Sequence, residues 1–446
     1  MYHFEALLMS HNVYANEPRR AVMVIDSKSF YASVESVDLG LNPLMSLLVV
    51  MSQQENTNGG LVLAASPQAK KILGVSNVMR QRDVPRDPRL AIVQPRMNYY
   101  IQKNKQINDI YRQFVADEDL HIYSIDESIL DLTDSWRYIE SKFGRKLTLR
   151  NMARLIQETV HDATGIYLTV GIGDNPAMAK MALDISAKHN KDLIGEWHYE
   201  TIPEHLWPIT KLDDVWSIGS RTAKTLRRLG ILSMRDLAAF NPYRLRELLG
   251  VKGIELYALA WGVDRSRLNN KYHVKESSFS NGQVLPRDYD NPAEIEVVIR
   301  EIGEQVASRL RAKHVVASQI SLGIGFGYRT TGPNHGFSGQ VTIDATNLSL
   351  PITNALREIF RTHYDGEVVR NIYVSAGRLA PDGVEQIDLF TPVTINMKQR
   401  QIDSVIDTIR QKFGVGAVFK SSSVAGGTML NRIGLVGGHN GGNAYG

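Results

Sequence analysis

Three acidic side chains occupy positions at which a carboxylate could take part in catalysis. Asp26 ends the apolar run 21–25, and Asp126 and Glu127 lie together between two apolar segments. Carboxylates at strand ends beside a hydrophobic sheet are costly to desolvate unless a cation balances them. Mg²⁺ prefers oxygen ligands, and two such ions about 3.5–4 Å apart can stabilise the attacking and leaving oxygens of phosphoryl transfer. The acids could therefore form a metal site, or they could be surface acids at turns that the fold never brings together.

The composition is typical of a globular chain without disulfides. Apolar residues make up 43% and charged residues 22% of the 446 residues, a length that predicts about two to four domains. The absence of cysteine excludes thiol catalysis and any cysteine-ligated zinc or iron–sulfur centre. No P-loop motif is present, and the histidines form no zinc-ligand pattern. The formal net charge of +4 is too small to indicate a nucleic-acid partner by itself.

Nothing in the sequence indicates a membrane partner. No apolar run approaches the roughly 18–20 residues that a membrane-spanning helix needs. The first residues also lack the basic start, apolar core and small-residue cleavage site of a secretory signal. We therefore expect a cytoplasmic protein without membrane contacts.

The first half of the chain predicts the elements that must position these acids. Residues 1–19 are polar and irregular, and we expect them to form a poorly ordered arm. The run 21–25 predicts a buried strand with Asp26 at its tip, and 120–133 predicts two short strands around Asp126 and Glu127. Strands and helices alternate to about residue 198, which predicts one α/β unit with an insertion after Asp26.

The second half contains two further regions. From 206 to 268, short helices are separated by glycines, and 269–277 is a polar segment that predicts a linker. Between 278 and 380, two helical stripes and four alternating segments follow in the order β-α-β-β-α-β, which predicts a four-stranded antiparallel sheet. The tail 437–446 is rich in glycine, and we expect it to be mobile.

The acids lie in segments that resemble the catalytic motifs of the Y-family (translesion) DNA polymerases. Residues 26–35 (DSKSFYASVE) resemble the first motif and 124–128 (SIDES) the second. The segment 171–180, which begins with Gly-Ile-Gly and ends with Ala-Lys, resembles the third. The nearest branch is UmuC-like, similar to the catalytic subunits of polymerase V type. The resemblance covers residues 20–435, and this many motifs in the same order are hard to obtain by chance.

The resemblance implies an α+β multidomain fold shaped like a right hand. A ferredoxin-like palm, small fingers, a helical thumb with a helix-hairpin-helix, and a β-α-β-β-α-β little finger are its parts. The implied ranges are the arm 1–19, the palm 20–30 and 95–198, the fingers 31–94, the thumb 199–268, the linker 269–277, the little finger 278–380, and a clamp-binding motif with a C-terminal extension in 381–446.

The same resemblance makes Asp26, Asp126 and Glu127 the catalytic carboxylates, which hold two Mg²⁺ ions with the backbone carbonyl of Ser27 as a further ligand. Many relatives carry an acid or an asparagine at the position of Lys28. A lysine cannot ligate a metal ion, so Lys28 is left out of the predicted metal site.

Four further residues are expected to bind the incoming nucleotide. Tyr31 occupies the steric-gate position, where a ring excludes the 2′-hydroxyl of a ribonucleotide. Phe30 precedes it, although a core position at a helix start also suits Phe30. Lys71 and Lys188 match positions at which relatives place basic phosphate ligands, but both could equally be solvated helix charges. Gln68 replaces a tyrosine that some branches add to this site.

A glycine turn followed by a basic helix resembles the helix-hairpin-helix of the thumb. Gly219, Arg221, Thr222 and Lys224 are expected to contact DNA phosphates, because the backbone N–H groups at a helix N-terminus favour an anion. Such contacts carry little sequence information, as a polymerase requires. Taken alone, the glycine turn could be only a connector between helices.

A short segment after the last predicted strand resembles the peptide by which bacterial proteins bind the sliding clamp. Gln386 takes the first position of that peptide, Ile387 follows, and Leu389 and Phe390 would fill an apolar pocket. The Leu-Phe pair could instead pack on its own domain, since five-residue patterns occur by chance.

These features predict a DNA-directed DNA polymerase of the translesion type, at the nucleoid of a bacterial cytoplasm, in DNA repair and the SOS response. Its expected partners are primer–template DNA, deoxynucleoside triphosphates, the sliding (beta) clamp, and recombinase or accessory subunits. The short fingers imply low fidelity and tolerance of damaged templates. A non-catalytic DNA-binding protein would not need all three carboxylates, and a palm-fold nucleotide cyclase would not need the little finger. A helix-hairpin-helix glycosylase would not explain the first motif.

Overall fold

The structure is a computed structural model, and it describes residues 14–52, 60–144, 146–270, 277–327, 335–383, 393–433, 435–436 and 439–440. The chain forms two compact units. The first comprises 1–51, 62–79 and 84–271, and the second comprises 52–61, 80–83 and 272–446. The boundary at residue 271 falls inside the segment predicted as a linker.

Two sheets occupy the chain up to residue 197. Their strands are β1 (Val22–Ser27), β2 (Leu48–Ser52), β3 (Leu61–Ala65), β4 (Ala91–Val93), β5 (Leu120–Ile122), β6 (Glu127–Asp131), β7 (Leu168–Gly173) and β8 (Ile194–Trp197). The larger sheet has the order β5-β6-β1-β7-β8, in which β7 and β8 are parallel and the other neighbours antiparallel. The expectation of an α/β unit is therefore wrong, because the central strands are antiparallel as in an α+β fold. The smaller sheet, β3-β2-β4, lies in the predicted insertion.

Helices cover the larger sheet and form most of the region that follows it. They are α1 (Phe30–Asp38), α2 (Pro67–Leu73), α3 (Met97–Tyr111), α4 (Trp136–Phe143), α5 (Leu149–Thr164), α6 (Pro176–Met181), α7 (Ile202–His205), α8 (Ser220–Arg228), α9 (Met234–Ala239), α10 (Pro242–Leu249) and α11 (Val251–Ala260). A π-helical segment, Ala182–Ala187, continues α6. Short 3₁₀ turns are Gln81–Asp83, Asp117–Asp119, Tyr199–Thr201 and Leu212–Asp214.

Strand β1 is buried on both faces. Met23 and Ile25 pack in a core that includes buried residues of α3 and α5, whereas Val22 and Val24 pack against α6 and the π-helical segment. Because successive side chains of a strand point to opposite faces, Asp26 belongs to the face of Val22 and Val24. The sheet therefore directs this carboxylate towards the end of α6.

Glycines in β7 allow α6 and the π-helical segment to approach that face closely. A Cβ on Gly171 would lie 2.1 Å from the carbonyl oxygen of Ala179, and one on Gly173 would lie 2.4 Å from its amide nitrogen. No side chain fits between backbones at this distance. The glycines of the third motif thus have a packing role, and the close approach brings Lys180 and Lys188 near the carboxylates.

Helix α1 packs with the larger sheet. Phe30, Ala32 and Val34 belong to the core that contains Met23 and Ile25. A separate small core is formed by buried residues of the following segment, which include Val49, Met51, Val62, Ala65, Ala69, Val75 and Val84. The domain boundary predicted at residue 31 therefore divides one packing unit.

The described part of the N-terminal arm is packed against the first unit, so the expectation of disorder is wrong for residues 14–19. The ring of Tyr14 stacks on Tyr199 with centroids 4.6 Å apart, and its hydroxyl donates to the carbonyl of Trp261 (3.1 Å). Glu17 forms an ion pair with Arg265. The segment has no hydrophobic period, and a single aromatic residue supplies the packing that pattern analysis overlooked.

The second unit contains the predicted β-α-β-β-α-β order. Its strands are β9 (Phe279–Tyr289), β10 (Val315–Phe326), β11 (Gly336–Thr346), β12 (Val369–Pro381), β13 (Leu435–Val436) and β14 (His439–Asn440). Its helices are α12 (Pro292–Ala312), α13 (Ser349–His363), α14 (Val393–Phe413) and α15 (Ser422–Gly426), with 3₁₀ turns at Val415–Ala417 and Leu430–Arg432. The sheet order is β11-β10-β12-β9 with antiparallel neighbours, which confirms the prediction.

The C-terminal segment is an integral part of this unit. Arg311 of α12 lies 3.2 Å from Asp403 and 2.6 Å from Asp407 of α14. Glu301, 1% exposed, accepts hydrogen bonds from the backbone N–H groups of Thr428 (2.9 Å) and Met429 (3.0 Å). These polar contacts hold described residues of the C-terminal segment, for which the sequence predicts no role after about Asn396, on α12. Within the described residues, no helix combines the length and apolar character needed to cross a membrane.

Candidate active site

The pairing of β1 with β6 brings the predicted carboxylates to one corner of the sheet. Asp26 is the direct cross-strand partner of Glu127, and the amide of Ser27 donates to the carbonyl of Asp126 (2.8 Å). Directly opposed residues of antiparallel strands place their side chains on the same face. The hydroxyl of Ser124 donates to Oδ1 of Asp126 (2.7 Å) and orients that carboxylate. Three acids from distant parts of the sequence therefore share one corner, as the metal-site hypothesis requires.

The acids of this corner are partly buried and lie close to one another. Burial raises the pKa of Asp26 to about 7; Lys188 opposes this rise, whereas the charges of Asp126 and Glu127 add to it. Burial also raises the pKa of Glu127, although its contact with Lys180 opposes the effect. Carboxylates that are desolvated beside one another favour either a proton or a cation.

Two lysines and an aspartate continue this charge network along one helical face. Nζ of Lys180 lies 2.7 Å from Oε1 of Glu127 and 3.1 Å from Oδ2 of Asp184, and Nζ of Lys188 lies 2.7 Å from Oδ1 of Asp184. Burial disfavours the charged form of Lys180, but these carboxylates raise its pKa overall. The roles of Lys180 and Asp184 were not predicted. The spacing of four residues between Lys180, Asp184 and Lys188 was the available signal.

The chemistry of the acids fits a magnesium site, although their side chains do not yet converge on an ion. Among the described residues, no three acidic or histidine side chains surround a common point as metal ligands would. Glu127 contacts Lys180, and Asp126 accepts a bond from Ser124. The donors are nevertheless carboxylate oxygens on adjacent strands, which suit Mg²⁺. Asp26, Asp126 and Glu127, with the backbone carbonyl of Ser27, are the groups that would hold the ion.

The ring of Tyr31 is held in a fixed orientation next to this corner. It stacks on Tyr100 with centroids 4.5 Å apart and an interplanar angle of 15°. The hydroxyl of Tyr100 donates to Glu35 (2.7 Å), and Arg96 donates to both carboxylate oxygens of Glu35 (3.0 and 2.6 Å). Burial raises the pKa of Tyr31, and the charge of Asp126 adds to the rise. Tyr31 is thus rigid and close to the carboxylates.

Phe30 occupies a different environment from Tyr31. Its side chain is 3% exposed and belongs to the core beneath the larger sheet. This burial favours the core interpretation over a contact between its ring and a nucleotide.

Helix α2 directs Lys70 towards the corner. Nζ of Lys70 donates to the hydroxyl of Ser29 (3.3 Å). Burial lowers the pKa of Lys70, the charge of Lys28 lowers it further, and Asp26 opposes the effect. Lys70 and Lys71 are both exposed, and the phosphate contact predicted for Lys71 stays a prediction. The charge of Lys188 acts on Asp26, and its predicted phosphate contact likewise stays a prediction.

The predicted DNA-binding hairpin presents the N-terminus of α8 to solvent. Gly219 is the N-cap residue, and Gly219, Arg221 and Lys224 are exposed while Thr222 is half-buried. Val215 and Ile218 are buried beneath the turn and hold it in place. The element that precedes this turn is only the 3₁₀ turn Leu212–Asp214.

The predicted clamp-binding segment lies outside the described residues. Gln386, Ile387, Leu389 and Phe390 all fall within 384–392, which the structure does not describe. Their role rests on the sequence alone.

Two family models match the chain. The impB/mucB/samB family model matches residues 25–184, and the model of its C-terminal domain matches 276–389. The first match contains the whole carboxylate corner, and the second contains the β-α-β-β-α-β unit.

Relatives of known name match nearly the full chain. A Bacillus subtilis protein named as the UV-damage repair protein UvrX is 37% identical over 96% of this chain and 99% of its own length. DNA polymerase IV 2 of the same organism is 33% identical over 94% of this chain and 98% of its own length. These names do not test the UmuC-like branch, which stays a prediction.

A solved structure has the same fold. A Y-family DNA polymerase chimera of Dbh and Dpo4 superimposes with a TM-score of 0.63 at 22% identity, over 81% of this chain and 99% of its own. This likeness confirms the multidomain α+β fold. With the sequence matches, it establishes that the chain belongs to the impB/mucB/samB family, a family of Y-family DNA polymerases that act in DNA repair.

Proposed function

We propose that the chain extends a DNA primer on a template, adds deoxynucleotides with low fidelity, and continues synthesis across damaged bases. The observation that carries this proposal is the direct pairing of Asp26 with Glu127, which brings the carboxylates together near Lys180 of α6 and Lys188, the residue after the π-helical segment. Acids and lysines at one corner suit a reaction that needs both a metal ion and a polyanionic substrate.

The proposed reaction is an in-line displacement. The 3′-hydroxyl of the primer gives up its proton to solvent, and its oxygen bonds to the α-phosphorus of the nucleotide. The bond from that phosphorus to the bridging oxygen breaks, and pyrophosphate leaves with the electron pair. Asp26, Asp126, Glu127 and the backbone carbonyl of Ser27 would hold two Mg²⁺ ions, which supply positive charge to the attacking and leaving oxygens when bound.

The chain's other residues bind and orient the substrates. Lys71 and Lys188 are proposed to bind the phosphates of the incoming nucleotide, and Lys70, whose Nζ contacts Ser29, is proposed to join them. Tyr31, fixed by its stack on Tyr100, is proposed to occupy the space that a 2′-hydroxyl would need. The exposed N-terminus of α8, with Arg221 and Lys224, is proposed to hold the duplex through phosphate contacts that are independent of sequence.

The predicted domain roles follow from this arrangement. The larger sheet with its helices would be the palm, the segment around β2–β4 the fingers, α7–α11 the thumb, and β9–β12 with α12 and α13 the little finger. The segment 386–390 would recruit the sliding clamp, and accessory or recombinase subunits would act with the protein in the SOS response. These roles are proposals, supported by family membership and by motif order.

Primer extension with a carboxylate variant tests the catalytic proposal. Asp126→Asn should reduce the extension rate about a thousandfold or more, since a metal ligand contributes several kcal/mol to the transition state. Its affinity for primer–template DNA should stay within about twofold of wild type. Glu118→Gln, at an exposed acid of the same unit, is the matched control and should extend normally. An Asp126→Asn enzyme as fast as the control would refute the assignment.

A damaged template and a double variant test the finer claims. A template with a single abasic site should be copied past the lesion by wild type, and complete stalling there would contradict damage bypass. The double substitution Leu389→Ala and Phe390→Ala should abolish stimulation by the sliding clamp while leaving synthesis without the clamp unchanged. Stimulation that survives this change would show that the segment does not bind the clamp.

A further inference from the structure

Lys28 follows the catalytic strand directly, and its backbone is fixed on both sides. Its amide donates to the carbonyl of Tyr167 (2.9 Å), and its carbonyl accepts from the hydroxyl of Ser33 (2.5 Å). Its side chain is half-buried. Two hydrogen bonds therefore hold the backbone from which this side chain begins.

The ammonium of Lys28 has no counter-ion in the described part of the chain. Lys180 and Lys188 each have a carboxylate oxygen 2.7 Å away, but no acidic side chain lies within ion-pair distance of Lys28 in the regions described. Burial lowers the pKa of Lys28; Asp26 opposes this effect, and Lys188 adds to it. A half-buried cation without a partner costs free energy that a bound anion would offset.

Lys28 belongs to a group of three lysines near Asp26. Nζ of Lys70 contacts Ser29 (3.3 Å), the residue after Lys28, and the charges of Lys28 and Lys188 both act on Lys70. The three lysines come from three separate elements: the end of β1, helix α2, and the residue after the π-helical segment. Among the described residues, only Lys188 of these three lysines forms an ion pair. The other two ammonium groups therefore leave an excess of positive charge on one side of Asp26.

We propose that Lys28 is a third phosphate-binding residue of the nucleotide site, and that its ammonium contacts the pyrophosphate portion of the incoming triphosphate together with Lys70 and Lys188. The inference rests on the proposed polymerase function. Lysine acts on phosphate as a compact point charge, which fits a site without the paired planar donors of arginine. The same charge repels a divalent cation near Asp26, so Lys28 should strengthen nucleotide binding while weakening metal binding.

Equilibrium binding of nucleotide tests this proposal without turnover. The wild-type complex with a dideoxy-terminated primer and template is titrated with the matching deoxynucleoside triphosphate. Lys28→Met should raise the Kd for this nucleotide about tenfold, as expected for the loss of one charge-assisted contact. Lys28→Arg should stay within about threefold of wild type. In parallel, Lys28→Met should raise the KM for inorganic pyrophosphate in primer pyrophosphorolysis and lower the Mg²⁺ concentration for half-maximal extension.

Lys191→Met is the matched control, because Lys191 is exposed three residues after Lys188, and it should change none of these quantities. If Lys28→Met misfolds, Lys28→Gln keeps the polar end and makes the same prediction. A wild-type enzyme that extends primers, with a charge-removal variant that binds nucleotide within twofold of wild type, would overturn this inference alone. A wild-type enzyme that extends no primer would instead overturn the proposed function.

Discussion

His198 joins the ends of the two parallel strands of the larger sheet. Its Nδ1 lies 2.9 Å from Oδ1 of Asp174, after β7, and its Nε2 lies 3.2 Å from Oε1 of Glu196, within β8. The hydrogen bonds with Asp174 and Glu196 raise the pKa of His198 to about 10, although burial opposes them. Both ring nitrogens therefore carry a proton at neutral pH and donate to a carboxylate.

The charge of His198 should stabilise the first unit in a pH-dependent way. One pKa unit corresponds to about 1.4 kcal/mol, so the difference between 6.5 and about 10 is worth about 5 kcal/mol without screening. The side chain is 31% exposed, and solvent screening reduces the expected contribution to about 2–3 kcal/mol. Because the folded-state pKa is the higher one, this stability is fully present below pH 6.5. It is lost as the pH rises to about 10.

Urea unfolding followed by tryptophan fluorescence measures this effect. The five tryptophans lie between Trp136 and Trp261, so the signal reports the unit that contains His198. Between pH 6.5 and 10, the free energy of unfolding of wild type should fall by about 2–3 kcal/mol more than that of His198→Gln. His121→Gln, at an exposed histidine, should keep the wild-type pH dependence. Parallel curves for wild type and His198→Gln would refute the charged bridge.

Three further predictions concern the gate, the third motif and the C-terminal segment. Tyr31→Ala should lower discrimination between deoxyribonucleotides and ribonucleotides, measured as a ratio of kcat/KM, by about tenfold or more; an unchanged ratio would exclude Tyr31 as the gate. Gly171→Ala should destabilise the first unit by about 3 kcal/mol in urea, because its Cβ would lie 2.1 Å from a backbone oxygen. Gly144→Ala, where the Cβ meets open space, should cost only about 1 kcal/mol, and equal losses would contradict the packing argument. Arg311→Met leaves two aspartates of α14 without their guanidinium, so limited proteolysis should cut the C-terminal segment faster than in wild type; equal rates would show that the ion pairs do not hold it.

Much of the fold could be predicted because its signals are local. The apolar run before Asp26, the short strands around Asp126 and Glu127, and the order of elements between 278 and 380 all follow from hydrophobic period and turn residues. Strand direction could not be predicted in this way, since a buried apolar run looks the same in a parallel and an antiparallel sheet. The pairing of Asp26 with Glu127 is a long-range property, and only the family resemblance anticipated it.

The features that the sequence did not predict have physical causes that act over one or a few residues. The contact of Lys70 with Ser29 was not predicted, because a shift of one residue on a helix rotates the side chain by about 100°. The packing of Tyr14 was missed because one ring in a polar segment has no period to detect. Lys28 was set aside because it cannot ligate a metal ion, although a cation beside a metal site can bind the substrate instead.

The charges at the corner suggest why metal and nucleotide would enter together. Formal charges of equal number and opposite sign meet there in the described structure: Asp26, Asp126, Glu127 and Asp184 against Lys28, Lys70, Lys180 and Lys188. A divalent cation alone would leave the corner strongly positive, and a triphosphate alone would leave it strongly negative. Two magnesium ions together with a triphosphate, which carries about four negative charges, add little net charge, and they can give each acid a cation and each lysine an anion. The glycines of β7 make this arrangement attainable, because without the close approach of α6 the lysines at 180 and 188 would not reach the acids. Gly171 and Gly173 carry no reactive group, but by allowing this close approach they determine which charged side chains meet at the corner.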